Sequence, residues 1–290
     1  AVKDVLQQLT PQHLRIWYIS KQEAHDSSLH FYDGKYKIAA ISAEEQQSWQ
    51  QSPQLALNLP AVNRLLPENF DVKPMVTQSK PEIILQQDGI SAWLYPSQQF
   101  ASQPRGVLDI FFNTGAPQQD IKARVLLALW HDLFNLQQSA LATEADIAGM
   151  QLRLTAGSGM ALTIAGFTDK QPQLLQQALA GLAVSTDEQS FAQAKDRYIR
   201  GLQNQGKQFP FYQAFGAFNN LVRNGNYETE QLIAAANNLN SDDLRAFIQH
   251  TLSNNQLRIF AFGNYDKATV SQVLSELKQA LPADRTELPY

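Results

Sequence analysis

Cysteine is absent from the 290 residues. That excludes a disulfide scaffold, cysteine-ligated zinc and thiol catalysis, although it does not fix the compartment. Charge is sparse too: 17% of residues are charged, the net charge is −4 and the pI is near 5.7. With no basic tail, the chain lacks the electrostatic footprint that binding to a phosphate backbone demands, so nucleic acid is not expected as a partner. Long apolar runs are missing as well. The longest, residues 125–130, is far short of the roughly 18 residues that a membrane span requires.

What is present is enough apolar material for a core, 44% of the chain, together with 35 glutamines in place of charge. At roughly 100 to 200 residues per domain the length fits one large domain or two ordinary ones, burying about three-quarters of the extended-chain surface. The chain opens at Ala1 without methionine or signal peptide and closes at Leu288, Pro289 and Tyr290 straight after a helix. A piece of a longer protein is therefore expected.

The pattern predicts a helix over 2–9 and a strand over 14–20, apolar on both faces, with Leu14, Ile16 and Tyr18 on one side and Trp17 and Ile19 on the other. Such a strand needs neighbours and cover that residues 21–54 do not supply; that stretch is polar, with one helical piece near 42–51. Pro53, Pro60, Pro67, Pro74 and Pro81 then recur every seven residues, and each removes a backbone donor and favours extended chain before it. The expected division is a tail of a preceding domain over 1–50, a proline-punctuated linker over 51–80 and one complete domain over 81–290.

Within that domain the pattern gives strands at 91–95 and 107–113, and a helix at 121–141 with a stripe of Val125, Leu126, Leu129, Leu133 and Leu136. A hairpin of 151–156 and 160–167 follows, its glycines expected to supply positive φ. Asp169 is expected to cap a helix from 171 with Pro172 in its first turn; further helices are expected at 187–205, 212–223, 228–239 and 242–252, then a strand at 257–262 and a helix at 268–281. Strands in antiparallel pairs and helices in blocks define an α+β class: an antiparallel sheet with helices packed on one face.

Candidate chemistry is thin. His25, Asp26, His30 and Asp33 cluster in sequence, but their spacing matches neither a helical i, i+4 pair nor a zinc signature, and a solvated loop accounts for them. His131 and Asp132 sit on the long helix beside its apolar stripe, the usual place of a hydrogen-bonded structural histidine. Gly157, Gly159 and Gly166 do not form a phosphate loop, since a strand follows where a helix N-terminus must stand. Ser158 lacks the outer glycines of a nucleophile elbow, with Ala156 and Met160 in their places. Asp242 and Asp243 fit a helix start; Glu44 with Glu45, and Glu144 with Asp146, are the other acidic pairs. Lys195, Arg197, Arg200 and Lys207 make a modest basic stripe, expected to be a solvated face. No catalytic, metal-ligating or substrate-binding residue is assigned.

Several stretches in order resemble one family. LPAVNRLLPENF, with Leu59, Pro60, Asn63, Pro67, Asn69 and Phe70, is similar to the linker joining the halves of pitrilysin/insulysin-type zinc metallopeptidases, the insulin-degrading-enzyme group of inverzincins. FYDGKY resembles that family's Tyr-Gly-x-x-Tyr element through Tyr32 and Tyr36, with Gly34 one place late. GFTDKQP, from Gly166 to Pro172, and RIFAFGN, ending at Gly263 and Asn264, resemble its later turn and final strand.

The resemblance implies four homologous α+β repeats enclosing a chamber, with this chain running from the end of the second through the third, non-catalytic repeat. Zinc is implied only for the parent's first repeat, on an H-x-x-E-H helix whose histidines bind metal and whose glutamate deprotonates water. Here the matching frame is His131, Asp132, Leu133, Phe134 and Asn135, so none of the family's catalytic residues carries over. The implied role is part of the wall of a peptide-degrading chamber of a bacterial metalloendopeptidase, periplasmic or secreted, with no activity, metal or cofactor of its own. Implied partners are the other repeats of the polypeptide and peptide substrates. The alternative is an interaction module of a catalytically inactive paralogue.

Overall fold

The structure, a computed structural model, describes residues 2–51, 58–59, 61–74, 79–96, 102–113, 120–222 and 226–281. The chain divides into two compact units, Ala1–Ala61 and Val62–Tyr290. Pro53, Pro60 and Arg223, and the closing residues 288–290, lie outside the described residues.

In the first unit, helix α1 (Val2–Leu6) and a single 3-10 turn (Pro11–His13) precede a two-residue hairpin, β1 (Ser27–Ser28) with β2 (Lys35–Tyr36), and helix α2 (Ala43–Gln51). Ser42 caps α2, its hydroxyl accepting from the Glu45 amide at 3.1 Å. The first helix is shorter than expected, and the strand expected over 14–20 does not form: these residues pair with nothing in a sheet, and Trp17 and Ile19 are 80% and 92% exposed. A strand apolar on both faces gains its stability from a ladder and cover on each side, and no described strand of this unit borders it.

The second unit is a six-stranded sheet under two layers of helices. Its strands are β3 (Glu82–Gln87), β4 (Ile90–Tyr95), β5 (Arg105–Asn113), β6 (Met150–Ala156), β7 (Gly159–Phe167) and β8 (Gln256–Gly263), in the order β3-β4-β8-β5-β7-β6. All pairs are antiparallel except β4 with β8. β3 is not among the strands expected from the pattern; it is an edge strand with a register break between Ile83 and Leu85 and no clean alternation.

Helix α3 (Ile121–Gln137) runs between the sheet and the outer helices α6 (Glu188–Gln205), α8 (Thr229–Asn237) and α9 (Ser241–Ser253). Cover on several sides explains an apolar arc wider than one stripe, taking in Leu127, Trp130 and Phe134 as well. Leu136, expected in the stripe, is 52% exposed. The helix also stops earlier than expected: Gln138 leaves helical geometry, and α4 (Ser139–Ile147) starts afresh. The Gln138 side chain lies on Gly181 of α5 (Gln171–Gly181), where a Cβ would come within 2.5 Å.

Helix α7 (Pro210–Val222) buries no residue and exposes Phe211, Tyr212, Phe215 and Phe218. Helix α10 (Lys267–Ala280) closes the sheet behind β3 and β4. Among the described residues no helix is long and apolar enough to cross a membrane.

Two expectations about backbone change. Gly157 and Gly159 do not have positive φ; among the described residues the glycines with positive φ are Gly89, Gly149, Gly166 and Gly263. Gly159 is required for space, since a Cβ there would meet the Phe112 carbonyl oxygen at 2.2 Å.

Residues 62–74, within the expected linker, lie on the second unit as a strap. Leu65 is buried in the core, and the Asn63 amide donates to the Glu144 carbonyl at 2.7 Å. Asp169 does not cap α5, whose N-cap is Lys170; one of its carboxylate oxygens instead accepts from the Glu68 and Asn69 amides at 2.9 and 3.2 Å, and Lys170 pairs with Glu68. Phe70 meets Phe167 edge to face at 5.3 Å. Asn264 accepts from the Lys73 amide and donates to the Asp71 carbonyl, while Lys73 pairs with Asp266 at 2.9 Å. The stretches GFTDKQP and FGNYD are thus the sockets of the strap. Gln171 and Tyr265 tie the same corner together from below: Gln171 donates to the Gly106 and Gly166 carbonyls and accepts from the buried Tyr265 hydroxyl.

The strap should be sensitive to acid. Burial pushes the Asp266 carboxyl up, but hydrogen bonds from Thr269 and the Lys73 ammonium outweigh it and hold the value at about 2; Asp169 is likewise held low by the Glu68 and Asn69 amides against its burial. Carboxylates lowered on folding contribute above their unfolded value, near about 3.9, and lose that contribution as pH falls through the folded one. Docking of 62–74 should be complete above pH 5 and fail as pH approaches about 2. At neutral pH, Asp169→Ala should speed hydrogen exchange of the Glu68 and Asn69 amides about tenfold, the worth of a hydrogen bond to a charged group, while α3 keeps its protection. Unchanged exchange at both amides would refute the socket assignment.

Candidate functional site

The residues singled out from sequence are placed apart and engaged locally. His25 contacts the Glu23 carbonyl, Asp26 accepts from the Ser27 hydroxyl and the His30 ring meets Phe31; Asp33 is exposed in the same hairpin. Among the described residues no group of three or more His, Cys, Asp or Glu is placed to hold a metal ion.

On α3, Asp132 takes a two-toothed ion pair from Arg197, with the Nη2 contact at 2.6 Å, and His131 Nε2 lies 2.9 Å from the Asn135 amide nitrogen. Phe134, where H-x-x-E-H has its glutamate, is 1% exposed and packed in the core. These residues do not fit zinc: one imidazole faces an amide, and the place of the base is occupied by a buried ring.

The basic stripe is similarly committed. Lys195 donates to the Asn237 and Leu239 carbonyls at the end of α8, where the helix has unpaired acceptors. Arg200 pairs with Asp196, and Lys207 donates to Asn204. Asp243 and Asn240 form a reciprocal capping box, and Asp242 pairs with Arg245. Gly157 and Gly159 close the β6–β7 hairpin, the Gly157 amide donating to the Gly159 carbonyl. Glu44 and Glu45 occupy the first turn of α2. Glu144 lends its carbonyl to the strap, and Asp146 accepts the Gly149 amide at the end of α4.

The feature that stands apart is the sheet face opposite the helices. Side chains alternate across a strand, so Leu108, Ile110 and Phe112 of β5 and Leu257, Ile259 and Ala261 of β8 enter the core, while Val107, Asp109, Phe111, Arg258, Phe260 and Phe262 are half-buried on the other side. Cross-strand register aligns them into rows. One row reads Arg153, Thr163, Asp109, Phe260, Trp93 and Ile83 across β6, β7, β5, β8, β4 and β3. The next carries Val107, Phe262 and Tyr95. Tyr95 lies 5.7 Å from Phe262, whose ring stacks at 6.4 Å on Phe260. Arg258 lies over Phe111 at 6.0 Å and donates to Gln256.

This face carries aromatic rings on β4, β8 and β5, with Asp109, Thr163 and Arg153 forming a polar run from β5 across β7 to β6. The strands beneath already have partners on both sides except at β3 and β6, so it can contact a ligand only through side chains. The signal for it was in the sequence: in β5 and β8 the alternating set that holds a charge, Asp109 or Arg258, is the set left uncovered.

The comparisons with known proteins agree with this architecture. The family model described as "Middle or third domain of peptidase_M16" matches residues 1–235. Protease 3 of Shigella flexneri is 27% identical over 290 residues, 99% of this chain and 30% of that protein. Human insulin-degrading enzyme is 25% identical over 287 residues, 97% of this chain and 28% of that protein. A crystal structure of pitrilysin superposes with a TM-score of 0.79 at 26% identity, covering 99% of this chain and 31% of that one. The chain spans under a third of the length of these relatives. With a family model matched over most of its length and a fold that superposes on pitrilysin, the chain belongs to the peptidase M16 family, as a stretch covering its middle or third domain.

Proposed function

We propose that this chain is a non-catalytic wall of a peptide-degrading chamber, with its open sheet face turned toward peptide. The observation that carries this reading is the open face itself: a half-buried aromatic surface over fully paired strands, on a domain whose α3 has exchanged the metal-binding frame for packing. The wall would limit substrates to those that fit and help position them, a gating role that can set turnover. The parent would be a bacterial zinc metalloendopeptidase of the periplasm, its metal held by another repeat.

Residues 1–61 we assign to the end of the preceding repeat, and 62–290 to the middle repeat with the strap as its first segment. An internal echo supports this. Residues 9–17, LTPQHLRIW, parallel residues 252–260, LSNNQLRIF, without a gap. In the second instance this sequence ends α9 and builds β8, a central strand. On that pattern 14–20 is the β8 equivalent of the repeat before, which accounts for its two apolar faces.

The purified chain is expected to leave a fluorogenic peptide uncleaved and to hold no stoichiometric zinc by elemental analysis. Zinc bound one to one, or cleavage that a chelator stops, would overturn the non-catalytic reading. An intact H-x-x-E-H in the parent's first repeat is expected; its loss would make the parent a scaffold.

A further inference from the structure

Asp109 is the one acidic side chain in the central rows of the open face. It sits mid-strand in β5 and is half-buried, and among the described residues its single hydrogen bond comes from the Thr163 hydroxyl on β7. Its other cross-strand neighbour is Phe260, beyond which the same row continues to Trp93. A carboxylate can accept several hydrogen bonds, so this one keeps acceptor capacity for a donor from a ligand. Arg258, one row away, is held over Phe111 and at Gln256.

We propose that the row Asp109, Phe260 and Trp93 receives a basic side chain, lysine or arginine, of an extended peptide lying on the open face. This rests on the reading of that face as a peptide-contacting wall and gives it a substrate preference. The charges are complementary: the ammonium or guanidinium meets the Asp109 carboxylate and the faces of Phe260 and Trp93, and its aliphatic stem lies along the aromatic rings. Cations are drawn to aromatic faces, tryptophan best, and more strongly where water is partly excluded. Lysine and arginine bury their stems on apolar surface while the head keeps its polar contacts. An acidic side chain placed over Phe260, between Asp109 and Trp93, would face Asp109 and be rejected. Specificity arises from placement of charge on a fixed sheet, with no movement of backbone.

The test uses the full 290-residue chain and calorimetric titration with three ten-residue apolar peptides, identical except for a central lysine, norleucine or glutamate. The lysine peptide should bind about tenfold more tightly than the norleucine peptide, a ratio within the reach of a cation over aromatic rings beside a carboxylate, and the glutamate peptide most weakly. Asp109→Asn should bring the lysine-to-norleucine ratio to about one. Should that variant fail to fold by near-ultraviolet circular dichroism, Phe260→Leu should still lower the ratio. Equal binding of lysine and norleucine peptides by the native chain, or a preference that survives D109N, overturns the basic-residue preference alone. Binding of none of the three peptides overturns the wall reading, and the preference with it.

Discussion

Trp130→Ala should cost the domain about 5 kcal/mol of stability. Removing a fully buried tryptophan costs about 3–5 kcal/mol through lost transfer energy and a residual cavity. Trp130 has no exposed surface, its indole nitrogen donates to the Leu182 carbonyl at 2.9 Å, and its ring meets Phe247 edge to face at 6.5 Å. Alanine therefore also strands a buried acceptor, worth about 1–3 kcal/mol more before relaxation or water offsets it. Native domains are stable by only about 5–15 kcal/mol, so this single change should bring the domain near its unfolding midpoint. Urea unfolding followed by far-ultraviolet circular dichroism measures it. Trp130→Phe keeps most of the volume and loses the hydrogen bond, and should cost about 1–3 kcal/mol. A cost below about 2 kcal/mol for the alanine variant would contradict a core centred on α3.

Gly166→Ala should be nearly as damaging although it adds a single methyl group. Gly166 has φ +112°, outside the range that side chains accept, and a Cβ there would lie 2.2 Å from the Gly149 carbonyl oxygen and 2.7 Å from the Met150 Cα. Both obstacles are backbone and cannot rotate away. Strained conformation costs about 1–3 kcal/mol and overpacking a further 1–3 kcal/mol or so, giving a loss of about 4 kcal/mol by the same urea measurement. Gly157→Ala is the matched comparison. Nothing lies within 4 Å of a Cβ there, and φ is not positive, so it should change stability by under about 0.5 kcal/mol. Equal losses at both positions would refute the argument.

Most of the helical layer was legible in the sequence because its signals are local. Asp187 and Asp266 stand where helices begin, and each side chain accepts an amide of the following turn; the hydroxyls of Ser190 and Ser185 help hold the Asp187 carboxyl at about 2. The failures were where the decisive partner is distant in sequence. Residues 62–74 look like a linker because their own composition supplies no core, yet Asp169 and Asn264, about 100 and 191 residues away, fasten them. The strand at 14–20 looks sound by alternation but lacks bordering strands. α3 ends at Gln137, where Gln138 leaves helical geometry beside Gly181 of another helix.

Sequence alone determined the α+β class and the family, and that the long helix carries a single histidine, His131, with Phe134 and Asn135 after it, since these depend on residue identity and short-range spacing. Alternation sorts the side chains of β5 and β8 into two sets, and Asp109 and Arg258 mark the set that stays uncovered, but only the tertiary structure laid helices over one face of all six strands and left the other open. That choice buries Ile110 and Ile259 and leaves Asp109 and Phe260 together on the open side, where a contact with peptide can be made.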